Sequence, residues 1–172
     1  LFNMRFLIIF IFLLSNSFAN EAPDIKNIVI NKELKSYDSL TFLNVENKQL
    51  YLDDYRGNLI LLNFWATWCA PCKEEMPSLD LLQNNEKLNN LKIFPINIGR
   101  DGIEKSKFFF KELKISNLDL YFDSPTTLAK KFALRGVPTS ILINKEGKEF
   151  ARIVGSINFE DEKFINWLSF YN

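Results

Sequence analysis

Residues 59–72 read LILLNFWATWCAPC, an apolar run that leads directly into two closely spaced cysteines. The run from Leu59 to Phe64 is interrupted only by Asn63 and is too short for a helix, so it predicts a β-strand buried on both faces. After the second cysteine, apolar residues recur at helical spacing over residues 76–82. Cys69 is therefore expected at a strand-to-helix junction.

A cysteine pair in this position favours thiol-disulfide exchange. Exchange needs an attacking thiolate, a second thiol that resolves the mixed disulfide, and surroundings that lower the pKa of the first thiol. Backbone N–H groups and the dipole at a helix start favour negative charge, so Cys69 is the predicted nucleophile, with a pKa below the free value of about 8.5. Cys72 lies about one turn further along, shielded but able to reach the Cys69 sulfur, and is the predicted resolving thiol.

Other interpretations of the pair carry less weight. The chain has two cysteines and no histidine, which is half a structural zinc site at most. A purely structural disulfide would close a very short loop and add little stability. A peroxidase would be expected to show Pro-x-x-x-Thr/Ser-x-x-Cys. Before Cys69 the matching positions hold Leu62 and Ala66, and before Cys72 they hold Trp65 and Cys69, so neither cysteine fits.

The composition is that of one nearly neutral domain. With 172 residues, 47% of them hydrophobic, the chain can bury one sizeable core but hardly two. The 21 basic and 21 acidic residues cancel, so no long-range field would gather nucleic acid or an anionic membrane surface. We expect no nucleic-acid partner.

Strand and helix patterns alternate along the rest of the chain, which predicts an α/β fold. The expected elements are a hairpin (40–43 and 49–52), strands at 91–98 and 118–122, helices at 103–113 and 126–133, and a second hairpin (139–144 and 149–154) before a last helix. The run Phe108–Phe110 is expected in the core, since Phe109, Phe110 and Leu113 at helical spacing can face the sheet; a partner surface is the alternative.

Residues 1–19 have the layout of a secretory signal peptide. Arg5 precedes an apolar run, Phe6–Leu14, which small or polar residues follow as far as Ala19. The run is shorter than the roughly 20 residues that span a bilayer, so cleavage is expected, with an uncleaved anchor as the alternative. Residues 20–39 are polar and are expected to form a tether that ends in an edge strand. We therefore expect a periplasmic protein that touches the inner membrane only through an uncleaved leader.

Residues 63–77, NFWATWCAPCKEEMP, resemble the TlpA and ResA group of exported thioredoxin-like proteins. The sequences YRG at 55–57 and RGVPT at 135–139 also stand where that group has similar residues. The resemblance implies a thioredoxin fold over residues 40–172, in which helices flank a central mixed β-sheet. It further implies an N-terminal β-hairpin and the extra β-α insertion of TlpA-like proteins.

The resemblance also assigns a substrate platform beside the cysteines. In thioredoxins the proline that matches Pro138 follows a cis peptide bond, and the backbone of the residue before it, here Val137, pairs with the substrate. Trp68, Ala70 and Pro71 around the nucleophile are expected to complete the substrate-binding surface.

One departure from the thioredoxin pattern concerns the base that serves Cys72. Ordinary cytosolic thioredoxins carry a buried aspartate where Asn63 stands. In ResA-like proteins a glutamate three residues after the second cysteine is assigned that role, and Glu75 matches it. If buried, its carboxyl would have a raised pKa and would exchange protons near neutral pH. The alternative is an exposed helix charge beside Lys73 and Glu74.

By resemblance, the expected activity is the reduction of disulfides in client proteins, without a bound cofactor. The resemblance implies a membrane electron donor of the DsbD or CcdA type, and clients in metalloprotein assembly such as apocytochrome c or a copper-delivery protein. A net oxidant of the DsbA class stays open, although oxidants of that class usually have a histidine between the cysteines, where this chain has Ala70 and Pro71. A binding or chaperone module without turnover also stays open.

Overall fold

A single sheet organises the part of the chain that the computed structural model describes, residues 23–172. The predicted leader, residues 1–19, lies outside the described residues. The strands are β1 (Ile28–Lys35), β2 (Thr41–Asn44), β3 (Gln49–Tyr51), β4 (Leu59–Trp65), β5 (Leu91–Asn97), β6 (Tyr121–Phe122), β7 (Thr139–Ile143) and β8 (Glu149–Val154). Within the described range they form an 8-stranded sheet in the order β1-β8-β7-β4-β5-β6-β2-β3.

Helices cover both faces of this sheet. They are α1 (Ala70–Leu82), α2 (Gly102–Glu112), α3 (Thr127–Lys131) and α4 (Glu162–Ser169), with short 3₁₀ turns at Leu52–Tyr55 and Glu86–Leu88. Buried side chains of α1, α2 and α4 share one hydrophobic cluster, whereas α3 contributes to the cluster on the opposite face. Among the described residues, every helix is too short or too polar to span a bilayer.

Strand β4 lies at the centre of the sheet. It pairs in parallel with β5 and antiparallel with β7, so the sheet is mixed. Leu61 and Trp65 point into the cluster beneath α1, while Leu62 and Phe64 point into the cluster beneath α3. Burial on both faces explains why the run is apolar except at Asn63. The carboxyl end of β4 delivers the cysteines to the rim of the sheet, where α1 begins.

Strand β1 forms one edge of the sheet and pairs antiparallel with β8, with an irregular register between Ile30 and Lys35. Glu149 of β8 has no solvent-accessible surface. Its carboxylate accepts hydrogen bonds from Asn31 Nδ2 (3.0 Å), the Tyr37 hydroxyl (2.5 Å) and Arg152 Nε (2.6 Å). These contacts fasten the amino-terminal segment to the domain.

The expected fold class is confirmed, with helices flanking a mixed sheet and the β2–β3 hairpin preceding the core. Two elements are shorter than predicted by more than one residue. Only Tyr121 and Phe122 of the strand expected at 118–122 are paired. The helix expected at 126–133 covers only Thr127–Lys131, because Thr126 (φ 64°) and Ala133 (φ 49°) adopt left-handed backbone conformations that interrupt a right-handed helix.

Candidate active site

The two cysteines are joined by a disulfide at the start of α1. Cys69 is the N-cap residue, and the backbone N–H of Cys72 donates to its sulfur at 3.2 Å. Cys69 keeps 4% of its surface exposed, whereas Cys72 has none. Cys72 is thus shielded, as the sequence predicted. Only Cys69 can be reached by a substrate, and its sulfur faces a helix amino terminus, which favours a thiolate there.

A cis peptide bond joins Val137 and Pro138, as the resemblance implied. It lies at the same rim of the sheet as the disulfide, because Thr139, which follows, pairs with Phe64 near the end of β4. The Pro138 carbonyl accepts a hydrogen bond from the backbone N–H of Gly155 at 3.0 Å, which ties Pro138 to the residue that follows β8. Of the other residues assigned to substrate binding, Val137 is half-buried, and Trp68, Ala70 and Pro71 are exposed.

Glu75 is buried one turn after Cys72, with 3% of its surface exposed. One carboxylate oxygen accepts a hydrogen bond from Asn63 Nδ2 at 2.8 Å, and the other accepts one from the backbone N–H of Ile157 at 3.3 Å. Burial raises the pKa of Glu75 to about 7, against the opposing effect of these two donors. The alternative of an exposed helix charge is therefore wrong for Glu75, although Lys73 and Glu74 beside it are exposed.

Asn63 and Ser140 form a buried polar pair on the sheet, next to the Glu75 carboxylate. Asn63 Nδ2 bridges Glu75 and the Ser140 hydroxyl, which lies 3.0 Å away. The Oδ1 atom of Asn63 is buried without a hydrogen-bond partner. Ser140 is not among the residues that the sequence predicts for the site. A polar residue inside the apolar strand at 139–143 was the available signal, and antiparallel pairing places it directly opposite Asn63.

Helix α2 is attached to the active-site segment at two points. Near its start, the Thr67 hydroxyl donates to the carboxylate of Asp101, and at its end Lys73 Nζ lies 3.3 Å from Glu112 Oε2.

The expectation that the run Phe108–Phe110 lies in the core is wrong for Phe108, which is 64% exposed. Phe109 and Phe110 are buried and pack on Trp65. Because three consecutive helical side chains cannot all face one sheet, Phe108 is left in solvent.

The arrangement can carry out disulfide exchange with its own side chains. It offers one reachable sulfur at a helix start, an enclosed second sulfur, and a buried carboxyl whose pKa lies near neutrality. Within residues 23–172, no cluster of three or more cysteine, aspartate or glutamate side chains could hold a metal ion.

A redox cysteine pair that caps the helix after the central strand, beside a cis-proline, defines a thiol-disulfide oxidoreductase of the thioredoxin superfamily. The chain belongs to the AhpC/TSA family, whose model matches residues 20–148. Its relatives make it a TlpA/ResA-like member of that superfamily.

Curated relatives carry the same activity in their names. The thiol-disulfide oxidoreductase ResA of Geobacillus thermodenitrificans is 32% identical over 120 residues, which are 70% of this chain and 68% of the relative. ResA of Bacillus cereus is 30% identical over 136 residues, 77% of this chain and 73% of the relative. The expected oxidoreductase activity is thereby confirmed, and peroxidase is not the activity for which these relatives are named.

The fold also matches a solved structure, that of a putative thiol:disulfide interchange protein DsbE from Chlorobium tepidum. The TM-score is 0.68 at 21% sequence identity, and the match covers 81% of this chain and 99% of the other. At this identity the likeness supports the thioredoxin fold alone.

Proposed function

We propose that this protein is an exported reductase of disulfides in client proteins that serve metalloprotein assembly, either of cytochrome c or of copper proteins. The observation that carries the proposal is the pairing of a reachable Cys69 with an enclosed Cys72 and a buried Glu75 one turn beyond. A catalyst that turns over needs two different thiols, one that attacks the client disulfide and one that resolves the mixed disulfide.

In the proposed cycle the reduced protein gives two electrons to a client disulfide. The thiolate of Cys69 attacks one client sulfur, the client S–S bond breaks, and the second client sulfur leaves as a thiolate that takes up a proton. Deprotonated Cys72 then attacks the sulfur of Cys69. The mixed disulfide breaks, the client leaves with both sulfurs reduced, and the protein is left with the Cys69–Cys72 disulfide.

Glu75 is the proposed base for the resolving step. Cys72 and Glu75 are three residues apart on α1 and therefore lie on the same face of the helix. Because the pKa of Glu75 is raised to about 7, its carboxyl can accept the Cys72 proton near neutral pH and pass it on afterwards. Asn63 holds the carboxyl in place and Ser140 holds the Asn63 amide, so both act as positioning residues.

The proposed partners follow from the resemblance. A membrane reductase of the DsbD or CcdA type would return two electrons to the oxidised protein, and apocytochrome c or a copper-delivery protein would be the client. The leader-like residues 1–19 support export to the periplasm.

The reduction potential of the Cys69–Cys72 pair tests the direction of electron flow. The purified domain is equilibrated in graded thiol-disulfide buffers, and free thiols are trapped at each point. A value near the thioredoxin figure of about −270 mV supports a reductase, whereas a value near about −120 mV makes the protein an oxidant and overturns the proposal.

A Cys72→Ala variant tests turnover, with Cys69→Ala as its matched control. We expect Cys72→Ala to trap a mixed disulfide with a protein substrate through Cys69, and Cys69→Ala to trap none. Both variants should lose multiple turnover. Unchanged function in Cys72→Ala would instead identify a binding module that uses the substrate platform at Val137 and Pro138.

A further inference from the structure

We propose that Ser78 is a positioning residue for the resolving step. Its hydroxyl fastens the loop between β8 and α4, residues 155–161, to helix α1, and this loop in turn keeps the Glu75 carboxyl in place to accept the Cys72 proton. The inference rests on the proposed function, because it names a residue that acts through the proposed base.

The Ser78 hydroxyl joins α1 to the loop by two hydrogen bonds. Ser78 lies three residues after Glu75 on α1 and is 9% exposed. The hydroxyl donates to the backbone carbonyl of Glu75 at 2.8 Å and accepts from the backbone N–H of Phe159 at 3.1 Å. Phe159 has no solvent-accessible surface, so without the hydroxyl this N–H is buried and unpaired, which is costly. Loss of the hydroxyl therefore favours a shift of the loop.

The same loop supplies one of the two donors that hold the Glu75 carboxylate. The backbone N–H of Ile157 donates to Glu75 Oε2 at 3.3 Å, and Ile157 is only two residues before Phe159. Within the described residues, the loop thus meets α1 through two hydrogen bonds, one to the base and one to Ser78. A loop that shifts at Phe159 also shifts at Ile157.

Side-chain packing does not hold this part of the loop against α1. A cavity of about 470 Å³ separates the two elements, lined on one side by Glu75 and Ser78 and on the other by Ser156, Ile157 and Asn158. Where elements are closely packed, side-chain contacts fix the distance between them. Here the cavity leaves that task to the hydrogen bonds, and the one from Phe159 to Ser78 is the shorter of the two.

The expected consequence is confined to one chemical step. A general base must lie within hydrogen-bond reach of the proton that it accepts, so a carboxyl that has lost one of its two donors is a poorer base for Cys72. The attack by Cys69 on the substrate disulfide does not use Glu75. Loss of the Ser78 hydroxyl should therefore slow resolution and leave attack almost unchanged.

The experiment measures both steps with hydroxyethyl disulfide, a small neutral substrate. Each protein is reduced, freed of reductant, mixed with excess substrate at pH 7 and quenched with acid at successive times. Intact-mass spectrometry then gives the amounts of reduced protein, mixed disulfide and oxidised protein. Attack depends on the substrate concentration, whereas resolution by Cys72 is intramolecular and does not.

The variants are Ser78→Ala, Glu75→Gln and the two combined. Ser78→Ala should slow resolution about fivefold, the size that one ordinary hydrogen bond implies, with attack unchanged. In the Glu75→Gln background it should add no further slowing, because the base through which it acts is gone.

Ser106→Ala is the matched control. Ser106 is likewise a buried helical serine, whose hydroxyl donates to the Gly102 carbonyl at 3.0 Å and accepts from Asn97 Nδ2 at 2.8 Å, but it lies on α2. This variant should resolve the mixed disulfide at the unmodified rate. Urea midpoints confirm that all variants are folded.

The outcomes separate the inference from the proposed function. Unchanged resolution in Ser78→Ala, equal slowing of both steps, or the same slowing in the Glu75→Gln background each overturns the inference and leaves the reductase proposal intact. If Glu75→Gln alone resolves at the unmodified rate, the proposed base is wrong and the inference falls with it. Failure of the unmodified protein to reduce the substrate at all overturns the proposed function.

Discussion

The buried Glu75 carboxyl should make the free energy of unfolding of the oxidised protein fall between about pH 5 and about pH 8, and replacing Glu75 by glutamine should remove this fall. In the unfolded chain this carboxyl loses its proton near the ordinary pKa of 4.5, but burial raises the pKa in the folded protein to about 7. Between those values the folded state holds more protons, so the free energy of unfolding falls as the pH rises, and the loss is complete above the folded pKa.

The size of the effect follows from the two pKa values. Integrating the difference in bound protons from pH 5 to pH 8 gives a loss of about 2 to 3 kcal/mol. Glutamine does not titrate, so the Glu75→Gln protein should be more stable relative to the unmodified protein at pH 8 than at pH 5 by about that amount. Any fixed cost of introducing the amide is the same at every pH and drops out of the comparison.

Urea unfolding followed by tryptophan fluorescence, at a series of pH values and with the disulfide intact, measures this difference. Glu74→Gln is the matched control, since Glu74 precedes Glu75 on the same helix but is exposed. The control should follow the pH dependence of the unmodified protein. If Glu75→Gln follows it as well, the carboxyl does not titrate near neutrality, and its proposed role as the base for Cys72 falls.

Two further substitutions test the surroundings of the site and the edge of the sheet. Asn63→Ala removes the donor that lies 2.8 Å from the Glu75 carboxylate, so the pKa of Glu75 should rise further. The rate of resolution, followed by stopped flow, should then increase only at higher pH, and an unshifted profile would remove Asn63 from the mechanism. Glu149→Ala leaves the Arg152 guanidinium without its carboxylate and should lower the free energy of unfolding by about 3 kcal/mol. Exposed Glu146→Ala serves as the control in urea titrations, and equal midpoints would contradict this estimate.

Local sequence signals predicted the central strand and the start of α1. All seven residues of β4 are buried, as its apolar run broken only by Asn63 predicts, and the cysteines follow where the strand ends. The enclosure of Cys72 also followed from its position one turn into the helix. The assignment of Glu75 came from resemblance alone, and the structure adds the burial that gives its carboxyl a pKa near neutrality.

Other features could not be predicted because they depend on long-range pairing or on helical phase. The contact between Asn63 and Ser140 requires the register of β4 against β7, which joins residues far apart in the chain. The run Phe108–Phe110 is uniform in sequence, so only the phase of α2 against the sheet determines which ring is left in solvent. The limits of α3 depend on two left-handed residues that are neither glycine nor asparagine.

The two outer strands of the sheet determine how readily unfolded polypeptides can pair with the protein. An exposed sheet edge can accept a strand from an unfolded polypeptide, and a thiol-disulfide oxidoreductase that acts on proteins meets such polypeptides repeatedly. One edge here is β3, which has only three residues, and the other is β1, whose pairing with β8 is irregular and whose second half carries Lys32, Glu33 and Lys35. Neither edge is a good template for strand addition. Unfolded clients therefore gain little by pairing with either sheet edge, and the contacts that hold a client are expected at the rim of the sheet that carries the disulfide and Pro138.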